Sequence, residues 1–562
     1  MLRRRERPMA DGPPTGAEDP KPKPRNARIA IVGAGPAGLA TAWFLKKQGF
    51  TNVTVFERYG RVGGLCYTMN DGYRAFDLGG NYLTRAYRET RKIARAVGAR
   101  TYRAERYIGL RLPGDTQDTA LRYYDMSDVV RETRDERGRP IGKVGWISFA
   151  WALIRYVVER WKVRGVIDEP TFWKVHKHPE LCVTFGAWLR ARGLEKLSSL
   201  FEIPITMMGY GFLDEIAAPY ALKYMSLRTF IPMCLRQVWF VGWLFPWPRR
   251  FKLGFQRMWD AVGWRLNVRQ DVAIGDIWRF GDQKPPKGEA PSERHPIRID
   301  VTYPSRVFQH DERVEFTRWF DHLIVASSRV GPLTAAFHVE PDGEEHRLFK
   351  KVDTFGFCMT TMHPESAEKA KPFRLQERVV CVLPFRHDVT LGRPWVVVQL
   401  WPDDTQMLQC YSRLETPNDT KNRRKEVIDG AERLVELLGG KRAGSADPHL
   451  CRWEHYEQWP YFGHVSPKDI EAGFFRDLEK LQGRRNTCWV GGFTNFELIE
   501  PIVCYAKALV ERHFVPAGEA PVPAVRPPAP PTRDAIVFRR DGVEPAPGDA
   551  ERPERVGDPP PG

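Results

Sequence analysis

Arg28-Ile29-Ala30-Ile31-Val32-Gly33-Ala34-Gly35-Pro36-Ala37-Gly38 decides the fold of the first domain. Its first five residues read as a short apolar strand, and a glycine turn follows. A helical pattern then runs from Pro36 to Gln48 and stops at Gly49, before Val53-Thr54-Val55-Phe56-Glu57 supplies a second strand. Strand, helix and strand in so short a span make one parallel βαβ unit. The turn matches G-x-G-x-x-G in the context that motif requires. Its first glycine permits the tight turn and its second lets the backbone approach a pyrophosphate. The third lets helix and strand pack closely, and the helix N-terminus favours phosphate charge. Glu57 closes the second strand, where a carboxylate can accept hydrogen bonds from ribose hydroxyls and would repel a phosphorylated ribose.

Further glycine turns extend this unit. Arg61-Val62-Gly63-Gly64 lies where a larger dinucleotide would continue, and Asp77-Leu78-Gly79-Gly80-Asn81 adds a third turn. Near the other end of the chain, Trp489-Val490-Gly491-Gly492-Phe493 reads as a strand entering a turn. A helix over residues 497–512 follows, whose N-terminal N–H groups can face a phosphate or a ribityl chain.

The rest of the chain must supply other domains, because 562 residues exceed one compact core. Residues 1–26 and the Pro-rich 515–562 are too polar to bury apolar surface and are expected to be disordered tails. Between them we expect a discontinuous cofactor domain (27–85, 250–330 and 470–514), a helical insertion (86–249) and a substrate domain (331–469). Strand-like stretches at 268–274, 298–303 and 322–326 are expected to return to the first sheet. Residues 146–164 read as an amphipathic helix with its charges on one side.

Composition narrows the partners. The net charge of +16 resides in the folded body, since the tails contribute little, and its basic clusters are short and carry no nucleic-acid-binding signature. Nine scattered cysteines with no Cys-x-x-Cys pair fit free thiols, a cytoplasmic setting and no metal site. No secretory signal pattern opens the sequence. The 18 Trp, 31 Phe and 18 Tyr suit a pocket for a planar or apolar ligand as well as ordinary core packing. The aromatic run at residues 237–248, with Arg249, Arg250 and Lys252 after it, is too short to span a membrane. A substrate-tunnel lining is its favoured reading, and peripheral contact with an anionic bilayer is the second.

Together these motifs resemble the flavin amine oxidase superfamily over most of residues 27–514. Met208-Gly209-Tyr210-Gly211-Phe212-Leu213-Asp214, Ala217-Ala218-Pro219-Tyr220-Ala221-Leu222-Lys223-Tyr224 and Trp459-Pro460-Tyr461-Phe462-Gly463-His464-Val465-Ser466 resemble the bacterial polyunsaturated fatty acid isomerases within it. Gln482-Gly483-Arg484-Arg485-Asn486-Thr487 does so as well. The resemblance implies an α/β fold with a Rossmann-like FAD-binding domain, an α+β substrate domain and a helical insertion. It implies FAD, with flavin N5 carrying a hydride from one carbon of an unsaturated fatty acid to another. No catalytic side chain is assigned.

The cofactor positions carried over are Gly33, Gly35, Pro36, Ala37, Gly38, Glu57, Arg58, Gly63, Gly64, Leu65, Asn81, Val272, Gly491, Gly492 and Phe493. Candidates for the substrate pocket are Arg103, Arg106, Tyr210, Met233, Trp459, Tyr461 and Phe462. His464 is a candidate acid or base, with a structural role as its commoner reading. Two departures bear on the ligand: Met233 stands where the isomerases have Phe, and the arginine that would pair with a fatty-acid carboxylate has no aligned match, with Arg103 and Arg106 as its candidates. Gly492 also replaces a common Glu, which removes a carboxylate and keeps the main-chain N–H. An amine or other small-molecule oxidase passing electrons to oxygen is the alternative, although no lysine matches the one such oxidases hold near the flavin. A flavoprotein that turns over nothing is the third reading.

Overall fold

The computed structural model describes residues 23–516, apart from 72–73, 105–106, 112–121, 125, 135–139, 237–244, 246, 281–294, 305–312, 328–337, 340–342, 365–374, 376–378, 383–392, 402–406, 415–419 and 439–450. Both expected tails lie almost wholly outside the described residues, as do Arg106 and most of the 237–248 run.

Ile29–Val32 forms a strand with every residue buried, as a parallel sheet covered on both faces demands. It pairs in parallel with Val53–Phe56 on one side and His322–Val325 on the other. Val268–Arg269 and Thr487–Trp489 complete a five-stranded sheet at its two edges, also in parallel. Segments hundreds of residues apart in sequence thus meet in one Rossmann-like layer. Pro36 opens the helix Pro36–Lys47, whose small residues Ala37, Ala40 and Ala42 are buried, and the helix packs against Ile499–His513.

One expected sheet strand went elsewhere. Ala273–Arg279, Ile297–Pro304 and Arg313–Phe320 pair antiparallel in a separate four-stranded sheet, with His338–Val339 at its edge. The reason is visible in Ile297–Pro304: Ile297, Ile299 and Val301 are buried while Arg298, Asp300 and Thr302 between them are half-buried. Such alternation suits a sheet covered on one face, whereas Rossmann strands are apolar throughout.

The third layer is a seven-stranded mixed sheet. Its order runs Cys451–His464, Asp353–Pro364, Leu408–Leu414, Pro394–Val398, Val379–Val382, Tyr107–Arg111 and Arg122–Tyr124. The last two strands come from the segment expected to be a helical insertion, which also contributes Thr101–Arg103, Glu132–Arg134 and Pro140–Lys143 before turning helical at Trp146. Its helices close on an aromatic core. Tyr156 lies 4.8 Å from Phe201 and 4.3 Å from Phe230, ring centre to ring centre, and its hydroxyl donates to Met225 O at 2.9 Å. Each of these buried rings contributes roughly 2–3 kcal/mol from apolar burial.

Candidate functional site

A cavity of about 1820 Å³ runs from the Rossmann layer to the mixed sheet. At one end it is walled by Gly33, Gly35, Pro36, Ala37, Glu57, Arg58, Gly64, Leu65, Asn81, Val272, Gly491 and Gly492, all of them read from the sequence as cofactor positions. The glycine turn has no room for a side chain. Gly33 holds φ +103° and an added Cβ would sit 2.7 Å from Ala326 O. A Cβ on Gly38 would stand 1.9 Å from Gly33 O, so this glycine lets the helix close on the turn instead of facing the cavity. The Glu57 carboxylate is fixed in place: Oε2 accepts from Ala34 N at 2.8 Å and Oε1 from Tyr59 N at 3.0 Å. Each oxygen retains a lone pair for a further donor.

Two helix N-termini reach this end. Pro36 and Ala37 begin one, and Leu498, Ile499 and Glu500 begin the other. The Glu500 carboxylate accepts from the N–H groups of Arg88, Glu89 and Thr90 at 2.6, 2.8 and 2.9 Å, which caps the helix Arg88–Ala96 and ties the two elements together.

The far end of the cavity is aromatic. Tyr210, Tyr224, Phe357, Tyr411, Trp459 and Tyr461 line it, and Met233 lies on another wall. Tyr210 and Tyr461 stack at 5.4 Å, and Tyr461 stacks on Phe357 at 5.0 Å. Burial pushes the phenols of Tyr210, Tyr224 and Tyr461 far above their ordinary range, so they stay neutral. Lys223 also faces the cavity, but its Nζ donates to Ile167 O at 2.8 Å and to Glu169 O, and burial lowers it to about 8.

Five sequence candidates fall elsewhere. Gly63 lies off the cavity lining with its N–H donating to Ala34 O at 2.8 Å. Phe462 is fully buried in the core, 4.8 Å from His464 and 5.2 Å from Tyr220, and Phe493 packs behind the wall near Phe349. Arg103 is exposed on a two-stranded edge and is not itself in the cavity lining; its guanidinium lies 4.6 Å over Trp247, a lining residue that Arg236 also covers at 5.1 Å. His464 Nδ1–H donates to Phe462 O, 2.7 Å away, and burial lowers its pKa, which fits a neutral structural ring.

The sequence reading missed Glu497. Its carboxyl lines the cavity, Oε2 accepts from Gly463 N at 3.0 Å, and its own carbonyl accepts from the Tyr210 hydroxyl at 3.2 Å. Burial raises its pKa to about 7 against the lowering effect of the backbone N–H groups of Gly463 and Phe462. Arg228 and Arg236 line the cavity as well. Among the described residues no group of His, Cys, Asp or Glu could hold a metal ion.

A parallel Rossmann-like sheet thus opens onto one long cavity beneath a mixed sheet. Residues 31–97 match the NAD(P)-binding Rossmann-like domain family. The polyenoic fatty acid isomerase of Ptilota filicina is 41% identical over 70 residues, 12% of this chain and 14% of that one. Human amine oxidase [flavin-containing] B is 33% identical over 125 residues, 20% of this chain and 24% of that one. These matches thus span a quarter or less of the curated relatives. A solved structure, the CLA-producing fatty acid isomerase from P. acnes, superposes with a TM-score of 0.64 at 21% identity, over 88% of this chain and 100% of that one. That likeness is one of fold.

Proposed function

We propose that the chain is an FAD-dependent oxidoreductase that moves a hydride within an unsaturated, lipid-like substrate. The observation that carries this reading is the single unbroken cavity joining the Gly33–Gly35 turn to the aromatic wall of Tyr210, Trp459 and Tyr461. Its volume exceeds the usual range for one small ligand, so a dinucleotide and a substrate can share it.

The residues present fit FAD. The glycine turn puts no side chain between the backbone and a pyrophosphate, two helix N-termini favour its charge, and Glu57 is held ready to accept from ribose hydroxyls. Bound there, FAD would supply a hydride acceptor and donor. The chain's own residues then do the rest. Neutral tyrosines and Trp459 exclude water and offer π-faces to positive charge developing on the substrate. Glu497 can hold or release a proton at its carboxyl near neutral pH. Arg228 and Arg236, from the cavity wall, suit a carboxylate head group better than Arg103 does. A hydride removed from one carbon and returned to another leaves the substrate's composition unchanged, so no electron acceptor is needed.

The cofactor assignment is tested by titrating flavin-stripped protein with FAD and with FMN. FAD should bind and FMN should bind far more weakly, because only FAD reaches Glu57; equal affinity would contradict it. The same π-faces would also take an ammonium group, which makes amine oxidation the second reading. Peroxide release with polyamines would favour it.

A further inference from the structure

The helix Trp146–Lys162 is apolar on two faces. Its inner face buries Phe149, Ala152 and Tyr156. Its outer face carries Ile147, Trp151, Ile154, Val158 and Trp161, spaced four, three, four and three residues apart, so they form one continuous stripe. These side chains are exposed, Ile147 at 89% and Trp151 at 68%, and with Trp146 they make six large exposed apolar groups on one helix. Exposed patches of this kind mark interaction sites.

Charge says what covers the stripe. Arg155, Lys162 and Arg164 stand exposed along it, while Asp128 near its start is engaged by Arg131 at 2.9 Å and Lys143 at 3.1 Å. The Arg164 guanidinium stacks on Trp161 at 3.5 Å and that of Arg131 on Trp146 at 3.9 Å, so an Arg–Trp pair closes each end. The helix's one acid, Glu159, is already engaged by Lys162 at 2.6 Å and Arg192 at 3.5 Å. A second copy of the chain would bring these cations against their equals, whereas anionic head groups complement them. Indoles and guanidinium groups around an apolar stripe match the head-group zone of a bilayer. At 17 residues the helix is too short to cross one, and among the described residues no helix is long and apolar enough to do so.

We propose that the outer face of Trp146–Lys162 seats the protein in the plane of an anionic lipid surface. The same helix supplies Trp146, Phe149, Ala150 and Leu153 to the cavity wall, so a lipid leaving the bilayer meets the cavity without crossing open water. The contact stands on exposure and charge and does not depend on the reaction.

Flotation of the full chain with phosphatidylcholine vesicles, with and without phosphatidylglycerol, tests it. The protein should float with the mixed vesicles and only weakly with the neutral ones. Trp151→Asp/Ile154→Asp should lose binding tenfold or more. Arg155→Glu/Lys162→Glu should lose about fivefold per residue, with the remaining binding sensitive to salt. None of these four side chains lines the cavity, so flavin content and melting temperature should match the parent protein. Failure of the parent to float, or unchanged flotation of Trp151→Asp/Ile154→Asp, would overturn the proposal. So would a dimer in solution that this pair of substitutions dissociates. Any of these results would leave the flavin reading intact.

Discussion

Glu497 occupies the space a side chain at Gly492 would need: a Cβ added there would lie 2.5 Å from Glu497 Oε2 and 3.0 Å from its Cβ. A side chain after Gly491 and the Glu497 carboxyl, five positions further along the chain, thus exclude each other. Gly492→Ala should therefore displace Glu497 and destabilise the protein by roughly 1–3 kcal/mol, an overpacking effect. Glu497→Ala in the same chain should recover much of the loss. Melting of the two single variants and the double forms a cycle, and strict additivity would show that the two positions do not compete.

Glu497 also sets a pH dependence. Its pKa is about 7 in the folded protein against an ordinary value of 4.5, because burial disfavours the charged form. Between those values the folded state binds more protons than the unfolded state. The stabilisation is complete below about 4.5 and is lost as pH rises through about 7, an effect of up to about 3 kcal/mol. Glu497→Gln is neutral throughout, so its stability relative to the parent should rise between pH 5 and pH 8 in urea unfolding. Parallel curves at the two pH values would remove the assignment.

The glycine turn makes a separable demand. Gly33→Ala sets a Cβ against Ala326 O at a positive φ, so it should weaken FAD binding at least tenfold and cost about 1–3 kcal/mol. Flavin fluorescence quenching measures the first and thermal melting the second. Normal FAD affinity in this variant would place the cofactor elsewhere.

Stability also hangs on a buried pair away from the cavity. Arg279 donates to both oxygens of Glu345, at 2.8 and 2.7 Å, with both side chains almost wholly buried. Glu345→Leu leaves a buried guanidinium without its carboxylate and should cost about 3–5 kcal/mol; adding Arg279→Met should restore most of it. Denaturant midpoints of the three variants check this.

How far the sequence could be read follows from where each element finds its partners. Ile29–Val32, Val53–Phe56 and Pro36–Lys47 carry their own signal as apolar runs and a glycine turn, so the glycine-turn end of the cavity, with Gly33 and Glu57, was legible. Tyr107–Arg111 was not, because its pairing comes from Val379–Val382, far along the chain. Phe462 and Phe493 belong to aromatic motifs whose composition does not distinguish a cavity wall from the core behind it. Glu497 carries no such signal, because it opens a helix in the sequence and only the fold brings its carboxyl to the cavity beside Gly463 N. The 151, 154, 158 and 161 spacing opposite Phe149, Ala152 and Tyr156 was the available sign of a second apolar face.

Anaerobic incubation of the purified, FAD-loaded protein with linoleic acid, followed by absorbance, tests the central claim most directly. The expected result is a steady rise in conjugated-diene absorbance while the visible flavin bands end as they began. Bleaching of the flavin without a diene would mean net oxidation, and a colourless protein that takes up no FAD would contradict the account altogether.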